Sequence, residues 1–481
     1  MYKAVIGLEV HCEIQTNSKV FSHATNEYSE LPNINVAEVD LGLPGVMPVP
    51  NKEAVRKALK TAMALNCENP DEVIFDRKNY FYPDLPKGYQ ITQVTKPMGI
   101  NGYLMIKLKD YEKRIDIHQL HLEEDTASLD HYNAFSLIDY NRSGIPLMEI
   151  VTEPCISSAD EAVSFLETLR NVFLYLGVSE ADSKKGQMRC DVNISLMKDT
   201  DSEFGTKVEM KNINAFSSVR SAIEYEIKRQ TKLLENGEKV VQETRRYDDE
   251  DGKTYSMREK VDAIDYRYFI EPNIPPVKLS KEYLDEIRSE IPKLQLDRLK
   301  TYMKDYELSE YDATILVKEK NISDYFDEVM SYGPKAKFAA DWVITVVLGS
   351  LNKLEITLDE FFITPKMLAE VIKLIDEDKL SLNHGKKIVY QAIADKKDPM
   401  ELIKESNLEQ ISDDKVILEM VITSLDENPD VVKQYVEEGK DYVANFFVGQ
   451  VMKKSKGQAN PTLTKNIIKE QLEKRKENER K

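Results

Sequence analysis

From Val5 to Ile14 the chain reads V-I-G-L-E-V-H-C-E-I, a period-two alternation that predicts a strand. Ile6, Leu8, Val10, Cys12 and Ile14 fall on one face, and Glu9, His11 and Glu13 on the other. Side chains two apart on a strand stand about 7 Å apart by the rise per residue, so Glu9 and His11 can serve one shared metal or phosphate. The pattern returns in R-C-D-V-N-I-S-L, where Arg189, Asp191, Asn193 and Ser195 alternate with Cys190, Val192, Ile194 and Leu196. It returns again in K-V-E-M-K, where Lys207, Glu209 and Lys211 alternate with Val208 and Met210. An antiparallel sheet with one packed and one wet face accounts for all three strands. A merely solvated face would carry Lys, Glu and Thr at random. Here acid, amide, imidazole and cation are mixed, as in the lining of a concave site for a metal and an anionic substrate, with solvated charges on a wet face as the default alternative.

Between the strands lie loops and helices with clear signals. Residues 17–50 are loop-like, with L-G-L-P-G-V-M-P-V-P too dense in Gly and Pro for a regular element. Asn51 caps an Ala- and Leu-rich helix. Phe75 to Thr92, F-D-R-K-N-Y-F-Y-P-D-L-P-K-G-Y-Q-I-T, interleaves Arg77, Lys78 and Lys87 with Tyr80, Phe81, Tyr82 and Tyr89. Cations beside aromatics suit a phosphate plus a base or ribose to stack on, although a Tyr-rich loop packed on the sheet explains them equally well. The run H-L-E-E-D, His121 to Asp125, places three acids together where like charges repel unless a cation gathers them. Oxygen ligands, few histidines and no cysteine cluster favour Mg²⁺ over zinc. S-L-I-D-Y-N-R and P-L-M-E-I-V-T-E-P add Asp139, Asn141, Arg142, Glu149 and Glu153. Ser158 opens a second helix that Gly177 ends, and a third runs from after Asn214 to about Glu235. Q-E-T-R-R-Y-D and D-Y-R-Y-F follow.

At 481 residues the chain exceeds one core and divides by texture. A sheet-rich part, 1–292, precedes a helical part, 293–407, and a small helical tail, 408–481. Four scattered cysteines, with no C-x-x-C pair, indicate neither a disulfide framework nor a zinc ribbon. With no basic-then-apolar leader pattern and no apolar run of membrane length, the expected location is cytoplasmic, away from any membrane. A net charge of −18 argues against a general nucleic-acid coat, but residues 453–481 carry a local +6. A polyanion can touch that tail at Lys453, Lys454 and Lys456. A solvated terminal helix accounts for the same charge.

Taken in order, I-G-L-E-V-H, L-G-L-P-G, the Phe75–Thr92 stretch, H-L-E-E-D, D-Y-N-R-S-G-I-P-L-M-E-I-V-T-E-P, R-C-D-V-N-I-S, E-M-K-N-I-N, Q-E-T-R-R-Y, D-Y-R-Y-F-I-E-P and G-Q-V-M-K-K-S-K-G-Q-A-N-P resemble the GatB/GatE family of tRNA-dependent amidotransferases. The likeness covers nearly the whole chain, and the lack of a large insertion fits the GatB branch. It implies an α+β fold: a glutamine synthetase-like cradle, a helical domain and a YqeY-like tail that touches tRNA. It implies ATP-dependent phosphorylation of the side-chain carboxylate of Glu or Asp misacylated onto tRNA(Gln) or tRNA(Asn), then displacement of phosphate by ammonia. The ammonia would come from a separate amidase, the A subunit, braced by a small C subunit in a heterotrimer. Carried over residue by residue, His11, Glu124 and Glu149 would hold Mg²⁺, with Glu9 and Asp191 beside them as catalytic acids. The strand reading leaves open whether Glu123 or Glu124 points inward, because a bulge can shift the register. Lys78, Tyr80, Tyr82, Asn193, Glu209 and Lys211 would contact the nucleotide and the aminoacyl end. Many family members hold a structural zinc near residues 22–40. Here those positions are Ser22, Ala24, Ala37 and Asp40, so no structural zinc is expected. No Gly-Ser-Ser amidase signature is present, so glutamine hydrolysis must lie on another chain.

Overall fold

The computed structural model describes every residue except 1, 199, 201, 214, 260–264, 407–413, 437–441, 456, 457, 480 and 481. The chain divides into two compact units, Met1–Leu294 and Gln295–Lys481. The boundary expected after residue 407 falls outside the described residues.

In the first unit the strands are β1 (Tyr2–Glu13), β2 (Glu72–Val73), β3 (Asp76–Asn79), β4 (Tyr89–Thr92), β5 (Gly99–Lys107), β6 (Glu112–Glu124), β7 (Ser128–His131) and β8 (Ser136–Asp139). They continue as β9 (Pro146–Thr152), β10 (Met188–Lys198), β11 (Val208–Ile213), β12 (Glu243–Asp248), β13 (Lys253–Glu259), β14 (Phe269–Ile270) and β15 (Val277–Lys278). Eight of them form one sheet in the order β13-β12-β11-β10-β1-β9-β6-β5. The first strand of the sequence is therefore central. Ile6, Leu8, Val10 and Cys12 are essentially inaccessible, and each fully buried aliphatic side chain contributes about 2 kcal/mol, so the alternation sets which face packs.

Helices α1 (Lys52–Ala64), α2 (Ala159–Leu176) and α3 (Phe216–Glu235) share one core with that face, through residues such as Leu59, Phe165, Leu169, Val219 and Ile223. The start of α1 is set by Asn51, whose side chain accepts from the amides of Glu53 and Ala54. The start of α2 is set by Ser158, which accepts from the Glu161 amide, and its end by Gly177 at φ +65°. One feature of the sheet departs from expectation. It is mixed rather than antiparallel, because β11 and β12 run parallel. The reason is α3 itself: a parallel neighbour needs a crossover, and α3 is the helix between them.

A second layer forms at the edge, where β14, β3 and β4 make a small sheet of their own. The loop from Gln15 to Pro50 is tied down by a buried ion pair. Lys19 Nζ reaches Asp40 Oδ2 at 3.3 Å and the Tyr140 carbonyl at 3.2 Å, while Ser22 Oγ and the Ala37 amide also donate to Asp40.

The second unit is helical among its described residues. One core gathers Leu299, Phe326, Trp342, Ile372 and Val389, around a π-helical turn at Val343–Val347. A further cluster joins Ile417, Val421, Phe447, Ile468 and Leu472. Among the described residues no helix is long and apolar enough to cross a membrane.

Candidate active site

The face of the sheet opposite the three helices carries the polar residues, and strand register decides which of them meet. Glu149 on β9 stands opposite His11 on β1 and, on its other side, opposite His121 on β6. His11 in turn stands opposite Arg189 on β10. Directly opposed residues of antiparallel strands project to the same side with Cβ atoms about 5 Å apart, so Arg189, His11, Glu149 and His121 form one row across four strands. Glu149 Oε2 lies 3.3 Å from His11 Nε2 and 3.3 Å from His121 Nε2. Glu123, two residues past His121 and on the same face, comes within 3.9 Å of His11 and 3.6 Å of His121. Thr92 Oγ1 on β4 donates to Glu123 at 3.2 Å and holds it there.

The acid that joins His11 and Glu149 is thus Glu123, and Glu124 stands elsewhere. Strand alternation turns Glu124 to the opposite side, where it is buried, accepts from Lys87 Nζ at 2.6 Å and from the Ile91 amide at 2.8 Å, and anchors β4. A register shift between Ile117 and Gln119 decides this parity. Sequence reasoning misses His121, although it heads H-L-E-E-D, because the run of acids draws the metal reading past it.

The two imidazoles face two carboxylates. Burial opposes ionisation of His121, but Glu149 and Glu123 outweigh it and push its pKa up to about 10. His11 is raised in the same way, burial being overcome chiefly by Glu149. Burial works to raise Glu149, yet the two imidazoles hold it well below the usual carboxylate range. On the same face Glu13 is pushed up to about 7 by burial and by Asp125, against Arg142 and Arg189. His11 Nε2 and oxygens of Glu123 and Glu149 converge closely enough to bind one cation. This is an imidazole-plus-carboxylate set without thiolate: the carboxylates suit a hard divalent cation such as Mg²⁺, and the imidazole suits softer divalent ions as well. His121, whose Nε2 faces both carboxylates, would orient them.

A second acidic group lies beside the first. Glu9 stands opposite Asp191, and Asn193 opposite Glu209, so Glu9, Asp191 and Glu209 also converge. Lys211 Nζ sits among them, 2.7 Å from Asp191 and 3.1 Å from Glu209. Asn193 donates to Glu9 at 2.8 Å, and among the described residues its own Oδ1 is buried without a hydrogen-bond partner, an acceptor left for a ligand. Burial, then Glu149 and Asp191, raise the Glu9 pKa.

Over this face stands the edge layer. Lys78 on β3 directs its Nζ to the ring of Tyr266, 4.9 Å from the centroid, and to Tyr80 at 5.9 Å. Glu123 and Glu149 support its charge against burial. Tyr82 is about half exposed and Phe81 is 94% exposed. The structure therefore brings Glu9, His11, Lys78, Tyr80, Glu149, Asp191, Asn193, Glu209 and Lys211 to one region. In the second unit Lys454 pairs with Glu427 at 2.6 Å, Lys453 is exposed, and Lys456 lies outside the described residues.

Similarity to known proteins bears on this arrangement. Residues 4–285 match the GatB/GatE catalytic domain and residues 324–472 the GatB domain. The chain belongs to the GatB/GatE family. It is 46% identical over 472 residues to the B subunit of the aspartyl/glutamyl-tRNA(Asn/Gln) amidotransferase of Persephonella marina, covering 98% of this chain and 99% of that one. It is 45% identical to the corresponding B subunit of Oceanobacillus iheyensis, over 98% and 100% of the two chains. The B subunit from Thermotoga sp. strain RQ2 is likewise 45% identical, over 98% and 99%. In this GatB/GatE chain the catalytic-domain match takes in residues of every strand of the large sheet, and with them both acidic groups.

Proposed function

We propose that this chain is the B subunit of an aspartyl/glutamyl-tRNA(Asn/Gln) amidotransferase, the component that activates the misacylated residue and amidates it. The observation that carries the reading is the convergence of His11, Glu123 and Glu149, whose carboxylates also support the charge of Lys78, on the polar face of a sheet belonging to this family. A side-chain carboxylate oxygen of Glu or Asp on tRNA attacks the γ-phosphorus of ATP, ADP leaves, and an acyl phosphate forms. Ammonia then attacks the carbonyl carbon and phosphate departs with the proton, leaving Gln-tRNA or Asn-tRNA.

Such a transfer is mostly positioning and charge neutralisation. His11, Glu123 and Glu149 would hold Mg²⁺, and a divalent cation there supplies neutralisation of phosphoryl oxygens. Lys78 offers its ammonium to an anionic oxygen of substrate. Tyr80 and Tyr82 give faces for a base or ribose to stack on. Glu9, Asp191, Asn193, Glu209 and Lys211 form the polar wall for the aminoacyl end. The sequence has no P-loop, in keeping with a glutamine synthetase-like cradle in which the sheet face itself carries the phosphate chemistry. Ammonia would arrive from the amidase, the A subunit, braced by a small C subunit, in a cytoplasmic heterotrimer. The relatives' description as B subunits supports a multi-subunit enzyme.

The deciding experiment gives the purified complex γ-labelled ATP and Glu-tRNA(Gln) with no ammonia donor. Label on the aminoacyl-tRNA, chased to Gln-tRNA by added ammonia, is the expected result. An unlabelled product from a complex whose amidase hydrolyses glutamine would overturn the reading in favour of a tRNA-holding scaffold. The basic tail has its own test. Reversing Lys453 and Lys454 to Glu is expected to raise the KM for tRNA by roughly tenfold, since taking a cation away from a phosphate weakens binding without touching the chemistry, and to leave the KM for ATP unchanged. An unchanged tRNA KM would remove the tail from the tRNA site.

A further inference from the structure

The segment D-Y-R-Y-F, Asp265 to Phe269, is built to hold Lys78, nearly 190 residues earlier in the chain. β14 pairs with β3 so that Phe269 stands opposite Arg77. Asn79, the last residue of β3, fastens the preceding turn twice: its amide donates to the Tyr266 carbonyl at 2.9 Å, and its side chain donates to the Arg267 carbonyl at 2.7 Å. Arg267 sits at φ +46°, a left-handed conformation that a residue with a Cβ adopts only when its surroundings impose it. Its amide donates to Asp265 Oδ1 at 2.9 Å, closing the turn.

The effect of this turn is to bring Tyr266 and Tyr268 together with Tyr80. Ring centroids are 5.9 Å apart for Tyr80 and Tyr266, in an edge-on contact, and 5.9 Å apart for Tyr266 and Tyr268. Lys78 Nζ lies over the Tyr266 ring at 4.9 Å. Among the described residues no carboxylate is close enough to form an ion pair with Lys78. Neighbouring cations at this face are engaged: Lys211 with Asp191 and Glu209, and Arg142 and Arg189 with Asp125. A desolvated ammonium held by a ring face keeps its charge available, because the quadrupole attracts it without neutralising it as a carboxylate would.

We propose that Tyr266 is a positioning residue, whose ring holds the Lys78 ammonium over His11, Glu123 and Glu149, unpaired and ready for an anionic substrate oxygen. That oxygen belongs either to the γ-phosphate of ATP or to the acceptor carboxylate on tRNA. The inference rests on the function proposed above and adds to it a residue and a direction of action.

The test uses the complete complex with ammonium as nitrogen donor, and measures kcat and both KM values for Tyr266→Leu, Tyr266→Phe, Lys78→Met and the double variant Lys78→Met/Tyr266→Leu. Tyr266→Leu is expected to lose roughly tenfold in kcat/KM, and Tyr266→Phe, which keeps the ring, to restore most of it. A rise in the KM for ATP identifies the γ-phosphate as the oxygen held, and a rise in the KM for Glu-tRNA(Gln) the carboxylate. The double variant is expected to be no worse than Lys78→Met alone, since the ring acts only through the ammonium. Additive losses would overturn the proposal, as would Tyr266→Phe failing as badly as Tyr266→Leu, or Tyr266→Leu matching wild type. A wild-type complex that transfers no phosphate defeats the functional reading itself, a result distinct from all of these.

Discussion

Glu123→Gln is expected to lower the kcat for amidation by on the order of 10²- to 10³-fold while leaving tRNA binding and the thermal midpoint close to wild type. The side chain keeps its shape and its bond from Thr92, but removes one full negative charge from the group where His11 and Glu149 meet. Loss of that charge also leaves His121 and His11 with a single carboxylate to share. The neighbouring substitution Glu124→Gln is expected to show the opposite pattern. Glu124 is a buried partner of Lys87, whose own side chain is only 7% exposed, so neutralising it leaves the ammonium without a counter-charge in the interior. The expected signature is a lower melting point with kcat per folded molecule largely kept. Steady-state kinetics and thermal denaturation of the two variants side by side decide the matter. Collapse of kcat in Glu124→Gln with a silent Glu123→Gln would reverse the assignment.

Lys19→Met is expected to cost about 3–5 kcal/mol of stability in the first unit, a large part of the 5–15 kcal/mol typical of a folded domain. Lys19 is completely buried, and its removal strands the Asp40 carboxylate, itself nearly inaccessible, with the Ser22 hydroxyl and the Ala37 amide as its remaining donors among the described residues. Space is also scarce there: a Cβ on Gly144, which sits at φ +82°, would lie 2.7 Å from Asp40 Oδ1. Urea denaturation of Lys19→Met and of Lys19→Met/Asp40→Asn checks the argument. The double variant, which no longer buries a charge, is expected to recover part of the loss. A single-variant loss below about 1 kcal/mol would mean that water solvates Asp40 and that the pair behaves as a surface one.

The pieces of the site legible in the sequence are those that depend on a single strand. Glu9 with His11, Asp191 with Asn193 and Glu209 with Lys211 each lie two apart in an alternating run, and each pair does share the wet face. Helix ends were legible for the same reason, since Asn51, Ser158 and Gly177 act within a few residues of themselves. Where reading fell short, the missing information was relational. Glu123 and Glu124 are adjacent and chemically alike, and a register shift at Ile117 and Gln119 makes their parity uncountable from the start of the strand. The parallel pairing of β11 with β12 was hidden although α3 was recognised, because a helix between two strands says nothing of which strands become neighbours.

By itself, then, the sequence determined the two faces of the central strand, the caps of its helices, the division into a sheet-rich and a helical part, and enough ordered motifs to name a family. These are consequences of local geometry: a period of two or of 3.6 residues decides what is buried, and burial of apolar surface is the largest favourable term. Tertiary structure alone decided that His11, Glu149 and His121 stand in one row, that Glu123 closes the group and Glu124 leaves it, and that Tyr266 comes to Lys78 across nearly 190 residues. Those contacts follow from hydrogen-bond register between strands distant in the chain, where a slip of one residue turns every side chain to the other face, and no window of sequence contains both partners.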